Sequence, residues 1–210
     1  MIKAVLWDFG GVVTSSPFEA FNAYEAEAGL PKDLIRTINA TNPDTNAWAQ
    51  LERSTVDLDT FARLFEEEAA ALGHTLDGSR IIGLLHGRVR PQMAEAVRRV
   101  AERLRCVCLT NNFAGGGLMA DQGRMSEVRA VQAHFHAIIE SSKVGLRKPD
   151  RRIYELACET MGVDATEVVF LDDLGVNLKP AAQMGMTTIK VVDPDEALDR
   201  LEAVVGFPLR

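Results

Sequence analysis

Three hydrophobic runs each end at a polar or acidic residue, and this pattern limits the chain more than any other feature. Lys3-Ala4-Val5-Leu6-Trp7 leads to Asp8, Cys106-Val107-Cys108-Leu109 to Thr110, and Val168-Val169-Phe170-Leu171 to Asp172. Short, nearly continuous apolar runs of this kind read as strands buried on both faces, the situation in a parallel sheet covered by helices on either side. In such a sheet the ligand crevice lies beyond the carboxyl ends of the strands. The runs therefore direct Asp8, Thr110 and Asp172, with their neighbours Asn111 and Asp173, toward one place.

The spacing between the runs sets the architecture. Residues 15–90 carry helical patterns over 17–28, 31–40, 44–53, 57–72 and 79–87, separated by Gly29, Asn42-Pro43, Ser54-Thr55 and Gly73, with Asp57 and Ser79 as caps. No strand pattern stands out there, so the segment reads as a helical insertion. From Pro91 helix and strand alternate again: a helix to Leu104, a strand to Leu109, a helical region before Phe135 and a strand over 137–140. Asp150 caps a helix to Met161 closed by Gly162, and after the Val168 strand come a helix over 178–184 and a strand over 187–192. The expectation is α/β: a doubly wound, parallel, Rossmann-like sheet formed by 1–14 and 91–210, with 15–90 as a helical cap over the crevice.

Composition narrows the partners. With 47% hydrophobic and 25% charged residues in 210, the chain has the content of a soluble domain. A net charge of −7 without a block of Lys and Arg argues against nucleic acid as partner. No apolar stretch of about 18 residues or signal segment is present, which points to a cytoplasmic protein with no membrane partner. Cys106, Cys108 and Cys158 cannot all pair within the chain and match no zinc spacing. Cys106 and Cys108, two apart in a strand, share one face beneath a helix. The oligomeric state stays open, a homo-oligomer included.

The strand ends carry the chemistry. Asp8 is followed by Gly10 and Gly11, which let the backbone approach a ligand closely, although a strand-end Asp also serves as a turn or cap residue. Asp172 and Asp173 bring two more carboxylates to the same crevice. Such crowding is relieved by a raised pKa or by a cation, and oxygen ligands suit Mg²⁺. As a pair alone, they could equally cap the next helix. Thr110 and Asn111 offer a hydroxyl and an amide to phosphate oxygens, or form an ordinary turn. Lys148, in Gly145-Leu146-Arg147-Lys148-Pro149, supplies a point charge for an oxyanion or for Asp8, or, taken alone, is a solvated surface lysine.

These strings, in this order and spacing, resemble the haloacid dehalogenase superfamily of hydrolases. The later segments are similar to the phosphatase domain at the N-terminus of soluble epoxide hydrolase and to the related domain of acyl-CoA dehydrogenase fusion proteins. The resemblance implies that Asp8 attacks phosphorus to give an aspartyl-phosphate. It implies Mg²⁺ held by Asp8, the Gly10 carbonyl and Asp173, with Asp172 acting through water. Thr110, Asn111 and Lys148 would cradle the phosphoryl group of a small phosphorylated substrate. Asn177 would support the metal site from behind, or cap its helix.

Gly10 departs from the pattern, because phosphatases of this superfamily carry there the Asp that moves the leaving-group proton. Substrates with anomeric, aryl or acyl phosphates would need little protonation; otherwise the cap supplies the proton, or catalysis has weakened. Glu19, Glu25 and His86 are the cap candidates, each with a surface position as the plainer reading. His74, His134 and His136 receive no role; the last two, if helical, would not share a face. The alternatives to a phosphatase are a phosphate-ligand-binding or regulatory protein and a metal-independent dehalogenase.

Overall fold

The computed structural model describes residues 1–84, 87–112 and 122–210. Its centre is a parallel sheet of β1 (Ala4–Trp7), β2 (Arg105–Thr110), β3 (Ala137–Glu140), β4 (Val168–Asp172) and β5 (Thr187–Lys190), in the order β3-β2-β1-β4-β5. Each apolar run is a strand. β1 pairs with β2 through Trp7 opposite Cys108 and with β4 through Trp7 opposite Leu171, so its carboxyl end opens between theirs. Strand order reverses at β1, which is where an open α/β sheet forms its crevice.

Alternation of side chains along these strands gives the sheet two cores. On one face Val5, Trp7, Cys106, Cys108, Val169 and Leu171 pack against α6 (Pro91–Ala101), through Met93, Val97 and Val100, and against α11 (Pro194–Val205), through Leu198 and Leu201. On the other, Leu6, Val107, Leu109 and Phe170 meet Ile153 and Tyr154 of α9 (Arg151–Met161) and Leu178 and Ala181 of α10 (Gly175–Gln183). Each large side chain buried this fully contributes about 1.5–3 kcal/mol. Cys106 and Cys108 share the first face, and burial pushes the Cys106 thiol up to about 12.

The insertion contains α1 (Pro17–Glu27), α2 (Leu34–Ala40), α3 (Ala47–Glu52), α4 (Leu58–Ala71) and α5 (Gly78–Gly83). Phe21, Ile35, Ile38, Phe61, Phe65 and Ile81 give it a core of its own. It leaves and rejoins the sheet domain side by side: Thr14 bridges Val89 in antiparallel fashion, the Ser15 N–H donates to the Arg88 carbonyl at 2.8 Å, and the Arg90 N–H to Val13 at 2.9 Å. The short helices α7 (Gln122–Gln132) and α8 (Ser141–Val144) flank β3. No helix among the described residues is long and apolar enough to cross a membrane.

Several local expectations shift. Asp57 caps α4, but α5 is capped by Asp77, whose Oδ1 accepts from the Arg80 N–H at 3.1 Å, and not by Ser79. The helical pattern over 31–40 begins only at Leu34, because Asp33 sits at φ 61°. His134 and His136 lie beyond the end of α7, in the approach to β3, rather than in a helix.

Glu25 is not a surface residue. It is 1% exposed, and its two carboxylate oxygens accept from the Asp33 N–H at 2.7 Å and the Ile35 N–H at 2.8 Å, satisfying the start of α2. Glu25→Ala leaves the Ile35 donor buried without a partner and the Asp33 donor partly so, where a fully buried unsatisfied group costs about 1–3 kcal/mol. Chemical denaturation is expected to register a total loss of about 2–4 kcal/mol, without disturbance of the sheet.

Candidate active site

The candidate site grows from the ends of β1 and β4. Asp8 follows Trp7 directly, and its Oδ1 accepts from the Phe9 N–H at 2.7 Å as the backbone leaves the strand. Residues Phe9–Val13 then form one wide turn, closed by the Thr14 N–H on the Phe9 carbonyl at 3.0 Å. Inside it Gly11 has φ 78°, and a Cβ there would lie 2.3 Å from Asp173 Oδ2. Only glycine fits both the backbone and the space. Gly10 is different: at φ −70°, ψ 129° it holds a conformation open to any residue, and a Cβ would meet nothing within 4 Å.

Lys148 joins the two strand ends. Its Nζ lies 2.8 Å from Asp8 Oδ1 and 2.7 Å from Asp172 Oδ2, with 1% of the side chain exposed. Burial alone would favour neutral amine, but Asp172 and Asp8 outweigh it and raise the lysine above its ordinary value. Asp172 is fully engaged: Oδ1 accepts from the Leu174 N–H at 2.8 Å, and the Asn177 amide reaches Oδ1 at 3.0 Å and Oδ2 at 3.1 Å. Asn177 thus holds Asp172 rather than capping α10, and its own carbonyl accepts from the Tyr154 hydroxyl at 2.7 Å.

Asp173 completes the cluster. Asp8, Asp172 and Asp173 each offer a carboxylate oxygen, all within 4.8 Å of one another. One lysine does not balance three acids. Burial, opposed by Lys148 and reinforced by Asp172 and Asp173, pushes Asp8 well above the usual carboxylate range. Burial and Asp172 push Asp173 up to about 6, against the pull of Lys148.

Thr110 ends β2 opposite Glu140 of β3 and next to this group in the sheet order. Asn111 follows, but its side chain is taken up by the lysine segment: Oδ1 accepts from the Lys148 N–H at 2.9 Å and Nδ2 donates to the Lys148 carbonyl at 3.0 Å. Its amide is thereby taken up by the Lys148 main chain. His86 and the Glu19 side chain lie outside the described residues.

One polar group went unanticipated. Glu52, at the end of α3, pairs with Arg147, accepts from Trp48 Nε1 at 3.1 Å and lies 3.4 Å from Asn111 Nδ2. Burial pushes its carboxyl up, against the pull of Arg147. Leu51-Glu52-Arg53 looks like an exposed helix end, and nothing local in the sequence signals its distant partners.

A parallel sheet with a helical insertion after β1, and with acids and a buried lysine at its carboxyl edge, marks a class of hydrolases. The chain belongs to the haloacid dehalogenase-like hydrolases, whose family model matches residues 2–185. Acyl-CoA dehydrogenase family member 10 of Mus musculus is 32% identical over 99% of this chain and 19% of its own length. Bifunctional epoxide hydrolase 2 of Mus musculus is 30% identical over 99% of this chain and 40% of its own length. The chain therefore spans about a fifth and two fifths of these two relatives. A sesquiterpene phosphatase of Aspergillus oryzae is 27% identical over 97% of each chain. In fold, a family enzyme of Bacteroides thetaiotaomicron solved with magnesium and inorganic phosphate superposes with a TM-score of 0.61 at 19% identity, covering 90% of this chain and 94% of that one.

The two glycines separate experimentally. Gly11→Ala must adopt a left-handed backbone and displace Asp173, so denaturation is expected to show a loss of about 1–3 kcal/mol. Gly10→Ala should stay within about 1 kcal/mol of the native chain, with either sign.

Asp173 gives a pH test. Without a cation the folded chain keeps on Asp173 a proton that the unfolded chain releases between about pH 4 and pH 6. This group therefore opposes folding above that window and is neutral below it. Asp173→Asn should melt like the native chain near pH 4 and be the more stable by about 1–3 kcal/mol at pH 7.

Proposed function

We propose that this chain is a Mg²⁺-dependent phosphatase of small phosphorylated metabolites, working through an aspartyl-phosphate on Asp8 and favouring esters whose leaving group needs little protonation. The observation that carries the reading is the buried Lys148 ammonium, shared by Asp8 at 2.8 Å and Asp172 at 2.7 Å, with Asp173 gathered beside them. An acidic cluster short of positive charge suits a hard cation with oxygen ligands. The carboxylates of Asp8 and Asp173 and the Gly10 carbonyl would hold Mg²⁺, while Asp172, with both oxygens already bonded, would hold Lys148 beside the ion rather than reach it through water. When bound, the ion would neutralise the excess acid and the charge of the phosphoryl group.

Asp8 then acts as nucleophile. Its carboxylate attacks phosphorus, the bond from phosphorus to the ester oxygen breaks, and the electron pair leaves on that oxygen. Water next attacks the acyl phosphate at phosphorus, releasing inorganic phosphate and restoring the carboxylate. Lys148 keeps Asp8 oriented and adds positive charge beside the phosphoryl oxygens, with Thr110 and the Asn111 main chain as neutral partners. Asn177 holds Asp172 and, through it, Lys148.

At Gly10 no side chain can move the proton, and a positioned acid or base is worth about 10²- to 10⁴-fold in rate. Both oxygens of Glu25 are engaged with backbone donors, which removes that cap carboxylate from consideration. Anomeric, aryl and acyl phosphates fit such a site, since their leaving groups depart with little help. Phosphatase relatives and a magnesium and phosphate complex among the fold neighbours support the reading.

The test compares p-nitrophenyl phosphate and acetyl phosphate with glycerol phosphate, with Mg²⁺ and with chelator. The first two should be turned over in Mg²⁺ alone, and Asp8→Asn should abolish turnover. Because the position has room and an ordinary backbone, Gly10→Asp should raise the rate on glycerol phosphate by about 10- to 100-fold. Binding of phosphate esters by folded protein with no turnover would instead support a ligand-binding role. Chloride release from 2-chloropropionate that survives chelator would support a dehalogenase.

A further inference from the structure

Arg147 and Lys148 are consecutive and serve opposite sides of the molecule. Lys148 reaches into the sheet domain, to Asp8 and Asp172. Arg147 turns to the cap, where its guanidinium pairs with Glu52 and donates to the Pro43 carbonyl at 2.9 Å. Asn111 ties the two together. Its amide brackets the Lys148 main chain, accepting from the N–H at 2.9 Å and donating to the carbonyl at 3.0 Å, and the same Nδ2 lies 3.4 Å from Glu52 Oε2.

Glu52 has no local reason to be where it is. It stands in the last turn of α3, where the helix dipole disfavours a carboxylate. Its side chain is 11% exposed, so its charge is largely withdrawn from water and must be paired to be tolerated. Trp48 Nε1 fixes Oε1 at 3.1 Å, and the Glu52 carbonyl accepts from the Ser141 hydroxyl at 2.9 Å, anchoring both ends of the residue across the junction of cap and sheet domain. What the carboxylate gains in exchange is a grip on Arg147 and Asn111, the two residues that set the path of the Lys148 backbone.

We propose that Glu52 is a positioning residue through which the seating of the cap sets Lys148 in place for Asp8. The proposal rests on the phosphatase reading for its catalytic consequence, while the coupling itself is a property of the fold. With the cap seated, Glu52 holds Arg147 and Asn111, and the lysine segment has one path. With the cap lifted, Arg147 loses both of its cap partners and Asn111 loses its contact with Glu52, so the ammonium between Asp8 and Asp172 is held less firmly. Closure over a substrate would thus complete the nucleophile's surroundings as well as exclude water.

The experiment uses the full chain labelled with ¹⁵N-lysine, in which the Lys148 ammonium is observed directly by NMR and assigned by its loss in Lys148→Arg. Buried between two carboxylates, it should exchange slowly and give a resolved signal. Glu52→Gln keeps the volume and the acceptor for Trp48 but removes the charge. It is expected to shift or broaden the Lys148 signal and to lower kcat on p-nitrophenyl phosphate by about 10- to 100-fold with little change in KM. Glu25→Gln, a cap substitution away from this network, should lower Tm and leave the signal in place.

A Glu52→Gln protein with an unchanged Lys148 signal and unchanged kcat, whatever its Tm, would overturn the proposal. If the native chain turns over no phosphate ester while the Lys148 signal still responds to Glu52→Gln, the coupling stands and the phosphatase reading falls.

Discussion

A buried ammonium between two buried carboxylates organises this molecule. Lys148, Asp8 and Asp172 come from three separate stretches of chain, and none could be withdrawn from water alone without a penalty of several kcal/mol. Together they offset one another, and the Phe9 and Leu174 N–H groups and Asn177 add hydrogen bonds to the carboxylates. The sheet order sets β1 beside β4, which brings the strand ends carrying Asp8 and Asp172 together. Breaking one member leaves an uncompensated charge, so fold and site stand on the same contacts.

Much of this is visible along the chain because the informative signals are local. Val168-Val169-Phe170-Leu171 must be covered on both faces, and the acid that follows must stand at a strand end. The insertion is equally legible, as apolar residues recur at helical spacing between residues 17 and 83 and build a core there. Helix starts are less so: a cap depends on one hydrogen bond, and Asp77 and Ser79 are equally suitable by composition. Glu25 and Glu52 lie beyond sequence reasoning for a stronger reason. Each looks like a solvated helix residue until the tertiary fold delivers its partners, the α2 N–H groups in one case and Arg147 in the other.

Gly10 and Gly11 are adjacent and alike in sequence, yet physically unlike. Gly11 answers to geometry, pressed against Asp173 with a left-handed backbone. Gly10 answers to no steric demand: its backbone is open to any residue and a side chain would meet nothing nearby.

The insertion leaves and returns through neighbouring extended segments, with Thr14 beside Val89. Its two ends are therefore already together in the sheet domain, which has only to close a loop whose termini touch. Long loops add little to such a closure. The five described helices have a core of their own and enter and leave the chain at one place, so a change in their length need not alter the register of β1 and β2. A framework whose insertion starts and ends at one point can in this way take a different set of helices without rebuilding its sheet.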